Sequence, residues 1–305
     1  MNVPPNGYAW WYVDALSDDG EKGLTIIAFI GSVFSPYYAY ARRKGLADPH
    51  NHVAFNVALY GKAARAWTMT ERGSSALECT KERLSIGPSS VRWDGTALTI
   101  DIDEIAFPIL KRVKGQIRVT PSCQPAQQFQ LDAAGTQIWQ PIAPRADISV
   151  AFSAPSLSWN GHAYFDHNRG SQPLEKTFQR WNWQRQNTPV STRILYDVTE
   201  RGRAGNCLAL EIAADGTIAH LPAPPLAPLP SGRLWRVARV TRSDAGRPAE
   251  VLETFEDTPF YARSLVSSCL WGDAAPSIHE SLDLDRFALP VVQAMLPFRM
   301  PRRAG

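Results

Sequence analysis

The chain has 305 residues, 44% of them hydrophobic and 20% charged, with a formal net charge of +3. That composition excludes a disordered chain, and the length suits about two globular domains. The small charge, with no basic run beyond Arg42-Arg43-Lys44 and Arg302-Arg303, leaves no stripe to neutralise phosphates and so excludes nucleic acid as a partner.

Taken in order, residues 8–14 read as a strand with large aromatic side chains on both faces. Residues 18–23 form a turn, and the uncharged run from Leu24 pairs back as a hairpin. That run continues to Ala41, close to the length that crosses a bilayer, but Gly31, Ser32, Ser35 and Pro36 interrupt it. Thr25, Ile26, Ile27, Phe29, Ile30 and Val33 favour strand, so a buried strand running into an aromatic loop at 35–40 is expected. Further strands are expected at 52–59 and 66–70, around a turn at 60–62, then at 84–86, 91–93, 98–102, 115–120, 129–131, 138–139 and 148–152. Strands spaced about eight to twelve residues apart, with turn signals between them, indicate a sandwich or barrel and not βαβ units.

A seam follows Gly170. Residues 174–183 are expected as a short amphipathic turn or helix covering it. A second series of strands follows at 192–198, 207–212, 218–221, 234–242, 251–256 and 260–270, with a proline-rich extended loop at 222–230. Residues 283–296 are a helix candidate that Pro290 interrupts. No repeat period is present, which excludes solenoids and propellers. Two all-β domains with a few short helices are therefore expected, at 7–170 and 171–305.

Four scattered cysteines, Cys79, Cys123, Cys207 and Cys269, contain no Cys-x-x-Cys pair and read as reduced thiols of a cytoplasmic protein. The first seven residues lack the basic and apolar regions of a signal peptide. His50-Asn-His52 has no further ligands at zinc-like spacing, and no metal site is expected. Gly-x-Gly-x-x-Gly, Walker and Gly-x-Ser-x-Gly motifs are absent, which removes support for nicotinamide, ATP and serine-hydrolase chemistry.

The chemistry concentrates in Trp159-Asn-Gly-His-Ala-Tyr-Phe-Asp-His-Asn-Arg-Gly170. Read as a strand, it places Tyr164, Asp166 and Asn168 on one face and turns His167 to the other. On residue types alone Asp166 is either a turn-capping or salt-bridged group or a catalyst. The ten tryptophans are the compositional oddity. Trp10, Trp11, Tyr12, Tyr37, Tyr38, Tyr40, Trp139, Trp159 and Tyr164 exceed what a β core of this size requires. With Phe165 they suit a cleft for a long apolar ligand, or for a cation formed during reaction.

Several segments carry a resemblance that runs almost from end to end. They are Tyr8-Ala-Trp-Trp-Tyr-Val-Asp-Ala-Leu-Ser-Asp-Asp-Gly20, Gly31-Ser-Val-Phe-Ser-Pro-Tyr-Tyr38, Met69-Thr-Glu-Arg-Gly73, Tyr164-Phe-Asp-His-Asn-Arg-Gly170, His279-Glu-Ser-Leu-Asp-Leu-Asp-Arg-Phe287 and Met295-Leu-Pro-Phe-Arg-Met-Pro301. In them the chain resembles the bacterial carotenoid 1,2-hydratases (hydroxyneurosporene synthases). The resemblance implies a tandem pair of lipocalin-like β-barrels and addition of water to the terminal carbon-1,2 double bond of an acyclic carotene such as neurosporene or lycopene. It implies neither an organic cofactor nor a metal.

The family's catalytic assignment carries over to Asp166, Tyr164 and Trp139. The family also has a histidine two residues before that tryptophan, where this chain has Gln137. Asp166 is then the proton donor. An ordinary aspartate, with a pKa near ~3.9, is protonated about once in a thousand at neutral pH, so a raised pKa is expected. Tyr164, Gln137 or His167 would orient water, and Trp10, Trp11, Tyr12, Tyr37, Tyr38, Phe165 and Trp159 would line the substrate. Peripheral membrane contact through residues 35–44 is expected, at the inner, photosynthetic membrane. The rivals are a lipocalin-like hydratase or cyclase of another isoprenoid, and a protein that carries carotenoid without reacting.

Overall fold

In the computed structural model, which describes residues 2–61 and 65–303, the chain divides into two β units, Met1–Pro173 with Ala294–Gly305, and Leu174–Gln293. The expected second domain thus stops short of the C-terminus, whose last segment returns to the first unit. Lys62, at the end of the expected 60–62 turn, lies outside the described residues.

The first unit is built on β1 (Tyr8–Ser17), β2 (Gly23–Ile30), β3 (Val53–Tyr60), β4 (Ala66–Arg72), β5 (Leu77–Cys79), β6 (Arg83–Ile86), β7 (Ser89–Trp93), β8 (Leu98–Ala106), β9 (Lys111–Pro121), β10 (Phe129–Gln130), β11 (Gln137–Ala154) and β12 (Ser156–Gly170). With a short C-terminal strand, Arg302–Arg303, which pairs in parallel with β4, they form a 13-stranded sheet. Its central order is β4-β3-β2-β1-β12-β11-β9-β8. The sheet curls until β4 meets β8, where Thr68 Oγ1 donates to Ile105 O at 3.0 Å. At the same seam Arg72 grips both oxygens of Glu104, at 3.1 and 2.7 Å. Burial pushes the Glu104 carboxyl up, against the pull of the Arg72 guanidinium.

Strand alternation gives the curled sheet two different faces. The concave face carries the apolar core: Val13 and Ala15 from β1, Ile26 and Ile30 from β2, Phe55 and Val57 from β3, Ile100 and Ile102 from β8, Val150 and Phe152 from β11. Each such valine, isoleucine or phenylalanine, fully buried, stabilises by roughly 1.5–3 kcal/mol. The opposite face carries Tyr8, Trp10, Tyr12, Trp139, Tyr164 and Asp166, and these too are buried.

The second unit has β13 (Phe178–Asn187), β14 (Ser191–Glu200), β15 (Asn206–Ala213), β16 (Ile218–His220), β17 (Leu226–Leu229), β18 (Arg239–Arg242), β19 (Glu250–Asp257), β20 (Tyr261–Leu270) and β21 (Asp273–Asp283). Seven of these form one sheet, β16-β15-β14-β13-β21-β20-β19, and β17 pairs with β18. β18 lies against the sheet through polar groups. Thr241 Oγ1 donates to Gln184 Oε1 at 2.6 Å, Arg239 Nη1 to Ser264 Oγ at 2.8 Å, and His279 Nε2 sits 2.9 Å from Val240 O. Burial holds His279 down at about 4, so it is neutral and donates through Nε2–H.

Several elements differ from expectation. The aromatic loop at 35–40 is instead the start of helix α1 (Pro36–Lys44). Ser35 Oγ accepts from the Tyr37 and Tyr38 amides, Pro36 opens the first turn, and Arg42, Arg43 and Lys44 lie at the negative end of the dipole. Residues 174–183 are helical only over Leu174–Thr177, after which β13 begins. Of the expected strand at 234–242 only Arg239–Arg242 forms, and it pairs with part of the proline-rich segment. β21 was not expected as a strand at all. The helix candidate at 283–296 is two helices, Leu284–Ala288 and Pro290–Met295, parted at Leu289. Among the described residues no helix is long and apolar enough to cross a membrane, and the run from Leu24 forms β2.

Candidate active site

Three strands, β1, β12 and β11, lay a grid of side chains on the non-core face of the first unit. Their register sets Tyr8, Gly170 and Gln137 in one row, then Trp10, Asn168 and Trp139, then Tyr12, Asp166 and Pro141. Asp14 faces Tyr164 in the row beyond. Pro141 has no N–H to give the ladder, and the β11–β12 register shifts just after it, between Pro141 and Ala143. The irregularity therefore falls beside Asp166, where a regular ladder would fix the strand most rigidly.

Asp166 is 4% exposed. Two donors converge on its Oδ2: Trp139 Nε1–H and Tyr164 Oη–H, both at 2.8 Å. Trp139 reaches it diagonally from the next row, and Tyr164 from two residues back on the same strand. Both rings are fully buried, and each has an aromatic neighbour. Phe129 lies 5.4 Å from Trp139, and Tyr12 lies 6.2 Å from Tyr164 at 65°. Trp10 continues the aromatic surface, stacked on Tyr8 at 4.8 Å. With both donors on Oδ2, Oδ1 is the oxygen suited to carry a transferable proton. A buried, oriented carboxyl among π faces can protonate an apolar substrate and stabilise the cation that results.

Gln137 lies in the outer row, opposite Gly170. Its Oε1 accepts from Tyr8 Oη at 2.5 Å, its Nε2 donates to Gln172 O at 3.2 Å, and its backbone N–H donates to Asp132 Oδ1 at 2.8 Å. Gly170 makes room for this bridge. A Cβ there would lie 2.3 Å from Gln137 Oε1 and 2.5 Å from the Tyr8 ring.

The structure divides the residues expected to line the substrate. Trp10 and Tyr12 share the face of Asp166, but Trp11, Phe165 and Trp159 point to the concave side. There Trp11 and Phe165, with Trp93, Leu84, Val91 and Ile142, line a cavity of ≈ 300 Å³ that Asp166 does not enter. Tyr37 and Tyr38 belong to α1. Tyr38 is fully buried, donates to Gly7 O at 2.7 Å and packs on His52 at 4.7 Å, so it pins the helix to the start of β1. His167 also faces the concave side, with its ring 5.0 Å from Trp11. Burial first, and then the nearby Arg169 charge, hold it down at about 4, so it is neutral at physiological pH. The metal reading of His50-Asn-His52 finds both rings engaged by carboxylates, His50 with Asp48 at 3.0 Å and His52 with Glu71 at 2.9 Å. Tyr8 and Asp14 join the grid without having been singled out for it. The period-two pattern of residues 8, 10, 12 and 14 was the available signal.

A family model described as "Carotenoid hydratase CrtC" matches residues 26–305. The chain is 58% identical over 305 residues to the acyclic carotenoid 1,2-hydratase of Thiocapsa roseopersicina, covering 100% of this chain and 75% of that one. It is 48% identical over 305 residues to the protein of the same name in Rubrivivax gelatinosus, covering 99% and 75%. Among solved structures, kievitone hydratase from Nectria haematococca shares the all-β, lipocalin-like fold, with a TM-score of 0.60 at 12% identity over 92% of each chain. The matched region contains the whole of β11 and β12, and the chain belongs to the carotenoid hydratase CrtC family.

Proposed function

We propose that the chain is an acyclic carotenoid 1,2-hydratase in which Asp166 is the acid. The observation that carries this reading is the convergence of Trp139 and Tyr164 on one oxygen of a buried carboxyl within an aromatic face. Asp166 gives its proton to carbon 2 of the terminal double bond, leaving a tertiary cation at carbon 1. The indole of Trp139 and the ring of Tyr164 face that charge. Water adds to carbon 1, and the resulting oxonium returns a proton to the Asp166 carboxylate. One carboxyl thus closes the cycle. General acid catalysis supplies about 10²–10⁴-fold and a desolvated cation–π contact about 2 kcal/mol. Positioning of the polyene end and exclusion of bulk water supply the rest.

The test is turnover of lycopene or neurosporene by the purified chain in doubly labelled water. One non-exchangeable deuterium at carbon 2 and one heavy oxygen at carbon 1 are expected in the alcohol. Bound but unchanged carotene would replace this reading with that of a carotenoid carrier, and turnover confined to a non-carotenoid alkene would move the substrate class. The substrate is apolar and partitions into bilayers, which supports our proposal that the enzyme works at the cytoplasmic surface of the inner, photosynthetic membrane.

Gln137 holds Tyr8, and through it the outer row, in position. Gln137→His keeps an acceptor for Tyr8 and a donor for Gln172, and turnover is expected to stay within about threefold of the parent. Gln137→Leu strands the buried Tyr8 hydroxyl at a cost of about 1–3 kcal/mol. Its melting temperature and its rate are both expected to fall. Equal behaviour of the two variants would remove the bridge from the site.

A further inference from the structure

The ≈ 300 Å³ cavity on the concave face of the first unit has no part in the hydration chemistry. Apolar side chains reach it from β1 (Trp11), β6 (Leu84), β7 (Val91 and Trp93), β11 (Ile142) and β12 (Phe165). Trp11, Val91, Trp93 and Ile142 pack against the buried core, yet they are themselves only half-buried, because the cavity opens onto them. Two indoles and two branched aliphatic chains thus keep apolar surface in contact with water, and covering it with hydrocarbon is favourable. The volume stands at the lower end of small-molecule sites, about 300–1,000 Å³. It suits a short hydrocarbon chain and is too small for a whole carotene.

The charged part of the lining comes from one turn. Where β5 passes into β6, Lys81, Glu82 and Arg83 border the cavity, two cations to one acid, and all three are exposed. The turn is held in place. Thr80 Oγ1 accepts from the Glu82 and Arg83 amides at 3.3 and 3.0 Å, and Glu82 O accepts from the Trp93 amide at 2.8 Å. The charges therefore keep a fixed position beside the strand that carries Trp93. Elsewhere in the first unit Arg72, Arg112, Arg118 and Arg302 each lie on a carboxylate. Among the described residues neither Lys81 nor Arg83 has such a partner; Arg83 Nε donates only to Ser85 Oγ, at 2.9 Å. An anionic group at the mouth would meet two unneutralised cations, and a cationic group would be repelled by them.

We propose that this cavity is a second binding site, for an anionic amphiphile with a short hydrocarbon chain, such as a medium-chain carboxylate. The chain lies over Trp11, Val91, Trp93 and Ile142, and the head group rests at the mouth against Lys81 and Arg83. The inference goes beyond the hydratase reading and does not rest on it. Phe165 and Asp166 are successive on β12 and point to opposite faces, and Asp166, Tyr164 and Trp139 take no part in the lining.

Isothermal titration of the full chain with decanoate and with decyltrimethylammonium, each below its aggregation concentration, tests it. The parent is expected to bind decanoate at one site and the ammonium at least about tenfold more weakly, with the preference shrinking as salt is added. Val91→Trp fills the cavity and is expected to weaken decanoate binding by about tenfold or more. Lys81→Glu combined with Arg83→Glu leaves the apolar lining intact and is expected to reverse the preference between the two amphiphiles. Both variants should hydrate carotene at the parental rate. If Val91→Trp loses the parental near-ultraviolet circular dichroism, the charge reversal decides alone. The proposal is overturned if the parent does not bind decanoate, if a folded Val91→Trp binds it like the parent, or if the charge-reversed variant still prefers it. Carotene turnover that falls in step with decanoate affinity would also overturn it, by making the cavity part of the carotene's own path.

Discussion

Asp166→Asn is expected to abolish carotene hydration, a loss of at least about 10⁴-fold, the upper end of what a positioned general acid supplies. The substitution changes the chemistry and little else. An asparagine of the same shape can turn its carbonyl toward Trp139 Nε1–H and Tyr164 Oη–H, so both donors that now meet on Oδ2 keep an acceptor. What it cannot do is release a proton to an alkene from the other branch. The amide group occupies the place of Oδ1, and its desolvation costs about 1–3 kcal/mol, too little to unfold a domain of ordinary stability. Three measurements decide the matter together: product formation, near-ultraviolet circular dichroism, and quenching of tryptophan fluorescence by added carotene. The expected pattern is no product, a parental spectrum and retained quenching. An asparagine variant that still makes the 1-hydroxy product at a comparable rate would remove Asp166 from the mechanism.

That aspartate is singled out by the family resemblance, and the period of two in a strand says which neighbours share its face. Tyr164, Asp166 and Asn168 had to share a face, and His167 had to leave it, whatever else the chain did. The same rule, applied to β1, separates Trp10 and Tyr12 from Trp11, a division that a list of neighbouring aromatics conceals. The pairing of β1 with β12 was not legible. It joins Tyr12 to Asp166 across a long stretch of chain, and nothing local in either strand sets that register. Nor was the reach of Trp139 to Asp166, which depends on the β11 ladder staying regular up to Pro141. Helix α1 was missed for a different reason. The β-prone residues before Gly31 dominated the reading, although Ser35, Pro36 and the basic triplet at 42–44 are cap, first-turn and last-turn signals of a helix. β21 hides in small and polar residues, and its place comes from pairing on both sides, with β13 and β20.

The two donors on Asp166 are expected to fail by different amounts, and the difference measures the indole's second role. Tyr164→Phe removes one hydrogen bond to a carboxyl that must become charged when it gives up its proton, worth about 1.5–3 kcal/mol, and keeps the ring. At about 1.36 kcal/mol per tenfold, turnover should drop roughly 10–10²-fold. Trp139→Phe removes a hydrogen bond of the same length and also replaces the indole, the strongest cation–π partner, adding about 2 kcal/mol and bringing the loss to roughly 400–5,000-fold. The pH profiles carry the sign. A donor to Oδ2 favours the ionised carboxyl, so its removal lets Asp166 keep its proton to higher pH. The alkaline limb of kcat/KM should move upward in Tyr164→Phe even as the plateau falls. In Trp139→Phe the limb should move the same way, with a deeper plateau. Thermal melting separates packing from chemistry, because Trp139 is fully buried against Phe129 and its truncation leaves a void. Equal plateaus in the two variants would confine Trp139 to holding the carboxyl, and the cation would then rest on the rings of Tyr164 and Tyr12. An unmoved limb in both would mean that the proton delivered to carbon 2 does not come from the carboxyl these two residues hold.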